Sequence, residues 1–238
     1  NSEKTIAATI QSVLNQNFKN FEYILIDGNS TDTTVHIIQS FEKLFTEKGI
    51  DFRWISEKDS GIYDAWNKAV NISKGQWITF IGSDDSFLPE SLSLMAKHAS
   101  TNKGFDFITA KARIKRGVKL EREFGQPWKW NNFKKEMKIL HAGGWHKAAY
   151  FKTHGLFDAT YRIVGDYELL LRAGKNLKVL FINQFIIEMG GDGVSTRLIQ
   201  KSLQEARNAR IKNNARIPFL AWIDYYWVYF KIKLKSYV

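Results

Sequence analysis

The stretch "SEKDSGIYDAWNKAVNISKGQWITFIGSDDSF", residues 56–87, decides the fold. Within it Ile62, Ala65, Trp66, Ala69 and Val70 recur at helical spacing, and Ser60 stands where it can cap the helix they describe. "WITFI", residues 77–81, then reads as a buried strand that runs through Gly82 and Ser83 into two adjacent carboxylates, Asp84 and Asp85. A helix feeding a buried strand that ends in charge is one unit of an α/β sheet.

Upstream, Ile6, Ile10, Val13 and Leu14 predict a helix, and "FEYILIDG" (21–28) a short strand stopping at Asp27 and Gly28. The polar cluster "NSTDTT" (29–34) opens a second helix with an apolar stripe of Val35, Ile38, Phe41 and Phe45, and "FRWIS" (52–56) is the next strand. Strand, helix, strand, helix, strand within about 60 residues predicts parallel neighbours. In such sheets ligands bind beyond the carboxyl ends of the strands. Asp27, the segment Ser56 to Asp59, and Asp84 with Asp85 should therefore line one acidic rim.

Downstream, Pro89 is placed as the first residue of a helix over "ESLSLMAKHA" (90–99). "FDFITAKARI" (105–114) and "VKLEREF" (118–124) read as strands joined by a turn at Gly117. "GDYELLLRAG" (165–174) is a short helix with Asp166 in its first turn, "KVLFI" (178–182) and "FIIEM" (185–189) are two further strands, and residues 199–213 form a basic helix. The expected organisation is one α/β domain over 1–198 with a basic, aromatic helical extension over 199–238.

A chain of 238 residues with 44% apolar content can bury a substantial core. It has no cysteine, which excludes a disulfide scaffold and fits a cytoplasmic setting. The net charge is +11, and residues 201–238 hold eight Lys/Arg against two Asp/Glu, so an anionic partner is expected. "IPFLAWIDYYWVYFKIKLK" (217–235) has about 14 residues ahead of its lysines, interrupted by Asp224, where a span needs roughly 20. With eight aromatics over residues 217–238 it reads as an interfacial helix making peripheral membrane contact, as an oligomer contact, or as a helix packed on the parent domain.

Two like charges side by side repel unless a cation or hydrogen-bond donors hold them. Mg²⁺ or Mn²⁺ suits one or two carboxylates completed by substrate phosphates and water. An isolated Asp-Asp pair is more commonly an exposed turn, so the surrounding pattern decides. "TIQSVLNQNFKNFEYILIDGNSTDTT", the 56–87 block and "FDATYRIVGDYELLLRAG" together resemble the family-2 nucleotide-sugar glycosyltransferases of GT-A type, in particular bacterial enzymes of polysaccharide biosynthesis. The resemblance implies a Rossmann-like, three-layer α/β/α fold with a mixed, mostly parallel sheet.

It also implies roles. Asp27 would contact the nucleotide base, Asp84 the ribose or the metal's surroundings, and Asp85 the metal, while Asp59 would assist donor binding or serve as a turn or cap residue. Asp166 would be the general base that deprotonates an acceptor hydroxyl in a single inverting displacement. Glu168, two residues along, should point elsewhere, and Arg172 should support the helix. His141 or His146, with Trp145 between them, would lie near acceptor or phosphates. "MGGDGVST" (189–196) resembles the family's Gly-Gly-Val-Ser loop, with Asp192 as a departure. The donor is then a nucleotide-sugar, and the acceptor a saccharide or polyprenyl-linked saccharide at the cytoplasmic face of the inner membrane.

The family's opening apolar strand has no counterpart before Asn1, so the sheet is expected to be incomplete. That departure keeps open a non-catalytic, glycosyltransferase-like binding protein. A basic nucleic-acid-binding protein is the third reading; the acidic crevice and the absence of an RNA-binding signature argue against it.

Overall fold

The computed structural model describes residues 1–117, 119–191 and 193–235. The chain opens with α1 (Ile6–Leu14), whose four apolar positions are all buried, and continues through β1 (Glu22–Asp27), α2 (Thr34–Ser40), α3 (Glu42–Glu47) and β2 (Asp51–Ser56). One helix was expected across α2 and α3; it breaks at Phe41, although Ile38, Phe41 and Phe45 still share the core. β1 and β2 pair in parallel, with Glu22 opposite Asp51 and Asp27 opposite Ser56.

Next come α4 (Ile62–Ile72), β3 (Trp77–Thr79), β4 (Ser86–Phe87) and α5 (Ser91–Thr101). Two local expectations are corrected here. Ile62 is exposed and Tyr63 takes the buried place, because the first turn of α4 is rotated toward the loop before residue 165. Ser60 does not cap α4 through its side chain; instead its amide donates to Asp64 Oδ2 (2.9 Å). Pro89 lies two residues ahead of α5, whose N-cap is Glu90 in the left-handed region.

The remainder comprises β5 (Phe107–Arg116), β6 (Lys119–Phe124), α6 (Trp130–Phe133), β7 (Trp145–Lys147), α7 (Ala148–His154), α8 (Gly165–Leu171), β8 (Val179–Gly190), α9 (Val194–Arg197), α10 (Ile199–Lys212) and α11 (Pro218–Lys235). The two strands expected over 178–189 are one, β8, which shifts register against β5 around Lys111 instead of ending. The larger sheet has the order β3-β7-β5-β8-β4, with β6 on β5. It is mixed, as expected, but only β5–β8 pairs in parallel there; the other pairings are antiparallel. The mostly parallel expectation fails because the β5–β6 hairpin and the short β7 and β4 need no helical crossover. Helices cover the strands, with one apolar core around α1, α2, α5 and β8 and a second around α4, α7 and α8.

Among the described residues no strand pairing joins the two sheets. β1 and β3 lie with their starts together, since Glu22 Oε1 accepts the amides of Lys74 (2.5 Å) and Gly75 (2.9 Å). Their far ends are linked through Asn1 and Ser2. The Asn1 amine donates to Ser30 Oγ (2.8 Å), and Ser2 Oγ lies 2.8 Å from Ser83 Oγ. The strands therefore run parallel, each with one edge unpaired among the described residues, across a cavity of about 1060 Å³ lined by Ile24, Ile26, Ile78, Phe80 and Trp145. Thr79 Oγ1 and Trp145 Nε1, both facing this region, have no hydrogen-bond partner among the described residues. This is the incomplete sheet that the sequence predicts. Trp145, expected near the acceptor, is buried in β7 against this cavity.

The slot lies between two unpaired strand edges that run in the same direction, the setting in which an added strand could pair on both sides. Joining an apolar, β-forming segment of about six residues ahead of Asn1 is expected to raise the thermal midpoint by about 5 °C or more, each added ladder bond contributing about 1 kcal/mol. A midpoint that does not move would show that the slot does not take a strand.

Candidate active site

Each acidic position on the rim is set by a strand end. Asp27 closes β1 and is buried, and its Oδ2 accepts the Ser30 amide (2.9 Å) and the Ser56 hydroxyl (2.6 Å). Burial alone would raise this carboxyl, but the hydrogen bonds outweigh it and hold the pKa below the usual aspartate value. Asp59, in the loop after β2, accepts the Gly61 amide (2.9 Å) and lies against Gly28, where an added Cβ would come within 2.5 Å of its Oδ2. Asp27 and Asp59 thus sit on neighbouring loops at the same end of the β1–β2 pair.

Asp84 and Asp85 divide into an exposed and a buried member. Asp85 is only 6% exposed; its Oδ2 accepts the Gly82 amide (3.2 Å) and its Oδ1 the Gly190 amide (3.3 Å). Its own carbonyl accepts the Thr9 hydroxyl (2.7 Å), which fixes the turn to α1. Burial, and then the charge of Asp84, push the Asp85 carboxyl up to about 6. Glycines lie close on both sides of the pair. A Cβ on Gly82 would approach Asp85 Oδ2 to 2.9 Å, and one on Gly190 would approach Asp84 Oδ2 to 2.8 Å.

Asp166 stands in the first turn of α8, with its Oδ1 near the Tyr63 hydroxyl (3.2 Å), which also donates to the Ile163 carbonyl (2.7 Å). Its Oδ2 lies 4.0 Å from His141 Nδ1. His141 packs against both Trp66 of α4 and Phe80, whose rings also touch each other, and Phe80 leads into the Asp84–Asp85 loop. The geometry therefore ties Asp166 to the end of β3 through one imidazole ring. Glu168 points away, as expected: it is fully buried and paired with Arg172, whose Nη1 also donates to the carbonyls of His154 (2.8 Å) and Leu156 (2.7 Å).

His141 and His146 are both inside the protein, with their Nε2 atoms 3.0 Å apart. Burial pushes both below the ordinary histidine range. At His146 the proximity of His141 adds to this, whereas at His141 the charge of Asp166 works against it. Two neutral rings share one Nε2–H. If His146 supplies that hydrogen, His141 carries its own on Nδ1, facing the Asp166 carboxylate. His146 Nδ1 is then a bare lone pair, and it has no partner among the described residues.

Two participants were not legible in the sequence: Tyr63 and the Ser2–Ser83 link. Neither carries a local motif, and each acts across a separation of more than 80 residues. Gly190 lies in the stretch that the sequence singles out, but its contact with Asp85, 105 residues away, was not legible there. Asp192 lies outside the described residues.

Residues 1–160 match the family model described as "Glycosyl transferase family 2", and the chain belongs to that family. Among curated relatives, a "PGL/p-HBAD biosynthesis glycosyltransferase" of Mycobacterium tuberculosis is 27% identical over 74% of this chain and 67% of its own length. The Escherichia coli "UDP-Glc:alpha-D-GlcNAc-diphosphoundecaprenol beta-1,3-glucosyltransferase WfaP" is 36% identical over 44% of this chain and 40% of its own length. Among solved structures, S. aureus TarS 1-349 in complex with UDP has the same fold: TM-score 0.71 and 18% identity over 90% of this chain and 62% of that one. The mannosyltransferase PcManGT from Pyrobaculum calidifontis, solved with GDP-Man and Mn2+, gives 0.67 and 12%, over 90% of this chain and 61% of that one. The fold is thus GT-A, and the chain spans roughly two fifths to two thirds of the length of these proteins.

Because burial lowers both imidazoles, their ring ¹⁵N signals are expected to titrate at lower pH than those of an ordinary histidine of pKa near 6.5, His146 further down than His141. Signals that titrate at or above the ordinary value would show that the rings are hydrated.

Proposed function

We propose that the chain is an inverting, metal-dependent glycosyltransferase of polysaccharide biosynthesis. It would move a hexose from a nucleotide-sugar to a saccharide or polyprenyl-linked saccharide as a peripheral protein on the cytoplasmic face of the inner membrane. The observation that carries this reading is the convergence of acidic loops. Asp27 and Asp59 meet at Gly28, the 27–34 loop joins the 82–85 loop through Asn1 and Ser2, and Asp166 reaches the same strand end through His141. Relatives named for undecaprenyl-linked acceptors support the acceptor class, and neighbours solved with UDP or GDP-Man support the donor class.

The residues present fit a hard divalent cation such as Mn²⁺ or Mg²⁺. Two adjacent carboxylates, one exposed and one with its pKa raised by burial and by its neighbour, form a site that a cation relieves. Among the described residues no third His, Cys, Asp or Glu joins them, so donor phosphates and water would complete the shell. Asp85 would hold the ion with Asp84 beside it, and when bound the ion would stabilise charge on the departing diphosphate. Asp27 presents one carboxylate oxygen fixed by Ser30 and Ser56, which leaves Oδ1 for a base N–H; Asp84, exposed beside Asp85, would take the ribose hydroxyls. Asp166, steadied by Tyr63 and facing His141, accepts the proton of the attacking hydroxyl on the face of the sugar opposite the leaving group.

With Mn²⁺, the chain is expected to turn over a UDP- or GDP-sugar. Asp166→Asn should lower kcat by about 10²–10⁴-fold with little change in donor KM. Asp85→Ala should abolish the thermal shift produced by nucleoside diphosphate plus Mn²⁺. Donor binding without turnover in the unmodified chain would favour the non-catalytic reading, and activity unaffected by Asp166→Asn would remove the assigned base.

A further inference from the structure

α11 is apolar on both sides, and only one side is covered. Toward α10 it presents Ala221, fully buried, and Asp224, which accepts two hydrogen bonds from Arg216 (2.7 and 2.9 Å). The opposite side carries Phe219, Trp222, Ile223, Tyr226, Trp227, Phe230 and Leu234, all exposed; Phe219, Trp227 and Leu234 are each at least 70% exposed. Their spacing makes one stripe about 22 Å long at 1.5 Å per residue. Within it Trp222 stacks on Tyr226 and Tyr226 on Phe230.

The charge around the stripe identifies what covers it. The only acid in the helix is Asp224, which is turned inward and paired. The sequence places Lys231, Lys233 and Lys235 at the far end, and Arg207 of α10 lies over the Trp222 ring at 3.9 Å. Self-association through this stripe would set one lysine-rich helix against another whose one acid, Asp224, is already paired with Arg216. An anionic lipid surface supplies both the counter-charge and a boundary that favours tryptophan and tyrosine. No helix among the described residues is long and apolar enough to cross a membrane, so the stripe would lie along the surface.

The helix beneath is fastened to the candidate active site. Glu205 of α10 accepts the backbone amides of Arg162 (3.1 Å), Ile163 (2.9 Å) and Val164 (3.2 Å), the segment that leads directly into Asp166. Lys212 pairs with Asp158 (2.7 Å), and Asn213 donates to Glu168 (3.2 Å) on α8 itself. We propose that the outer stripe of α11 docks on an anionic lipid bilayer, and that α10 transmits this orientation to the loop carrying Asp166, so that the site faces the surface where a lipid-linked acceptor lies. The docking stands on the stripe and its charge alone; its catalytic consequence rests on the function proposed above.

The test uses the full chain with vesicles of phosphatidylcholine alone or with about a third phosphatidylglycerol, read by co-sedimentation and by tryptophan emission. Binding is expected to the anionic vesicles, to weaken with salt, and to fall at least tenfold in the triple variant Trp227→Ser, Phe230→Ser, Leu234→Ser. These side chains are exposed, so the variant should keep its circular dichroism and thermal midpoint. Equal sedimentation of the two forms, or no binding by the unmodified chain, would overturn the proposal. So would light scattering that shows a dimer dispersed by the triple variant without vesicle binding, which would assign the stripe to a second copy. Turnover on a water-soluble saccharide acceptor, measured in parallel, should match in both forms and reports on the enzymatic reading separately. Its absence with vesicle binding intact would sink that reading and leave the docking standing.

Discussion

The arrangement of this molecule depends on one buried carboxylate. Asp85 is held between the amides of Gly82 and Gly190, which fastens the end of β3 to the end of β8 across the sheet. Because Asp85 is enclosed, Asp84 is left outside, and the pair becomes a polarised site in place of two equivalent surface charges. The energetic conflict is real: burial and a like charge both oppose ionisation of Asp85, and two backbone donors only partly offset them. Such a conflict at a strand end is what the proposed cation would relieve.

Around that point the fold works as a set of clamps that hold loops, not strands. Asn1 and Ser2 join the Asp27 loop to the Asp84 loop, Tyr63 and His141 bracket Asp166, and Glu205 grips the three amides before it. The two buried imidazoles add a further constraint. A neutral pair with one shared hydrogen has a preferred tautomer only when something fixes one end, and the Asp166 carboxylate does so. A site on loops held in this way can be positioned well even though the sheet beneath is split by an open slot.

The GT-A fold relates the chain to proteins solved with UDP, UDP-GlcNAc and GDP-Man at identities below 25%, so the shared property is architecture. A separate feature lies at the other end of the chain. α11 shows an aromatic stripe to the outside while Arg216 pairs with the inward Asp224. That combination separates a helix which packs and also docks from one which only packs.

The sequence by itself determined where strands end in acid, because an apolar run broken by Gly-Ser-Asp-Asp or Asp-Gly has few other readings. It also determined that Asp166 opens a helix, that Glu168 points elsewhere, and that Arg172 supports that helix. Helical period and strand alternation are local properties, and local properties survive in one dimension. The tertiary structure alone decided which of the two adjacent aspartates is buried, since that depends on Gly190 more than 100 residues away. It alone merged residues 179–190 into one strand, exposed Ile62 and buried Tyr63, and turned two histidines from separate candidates into a hydrogen-bonded pair. Each of these outcomes depends on a partner distant in the chain or on the packing of an entire element, and the residue types alone do not encode which partner arrives.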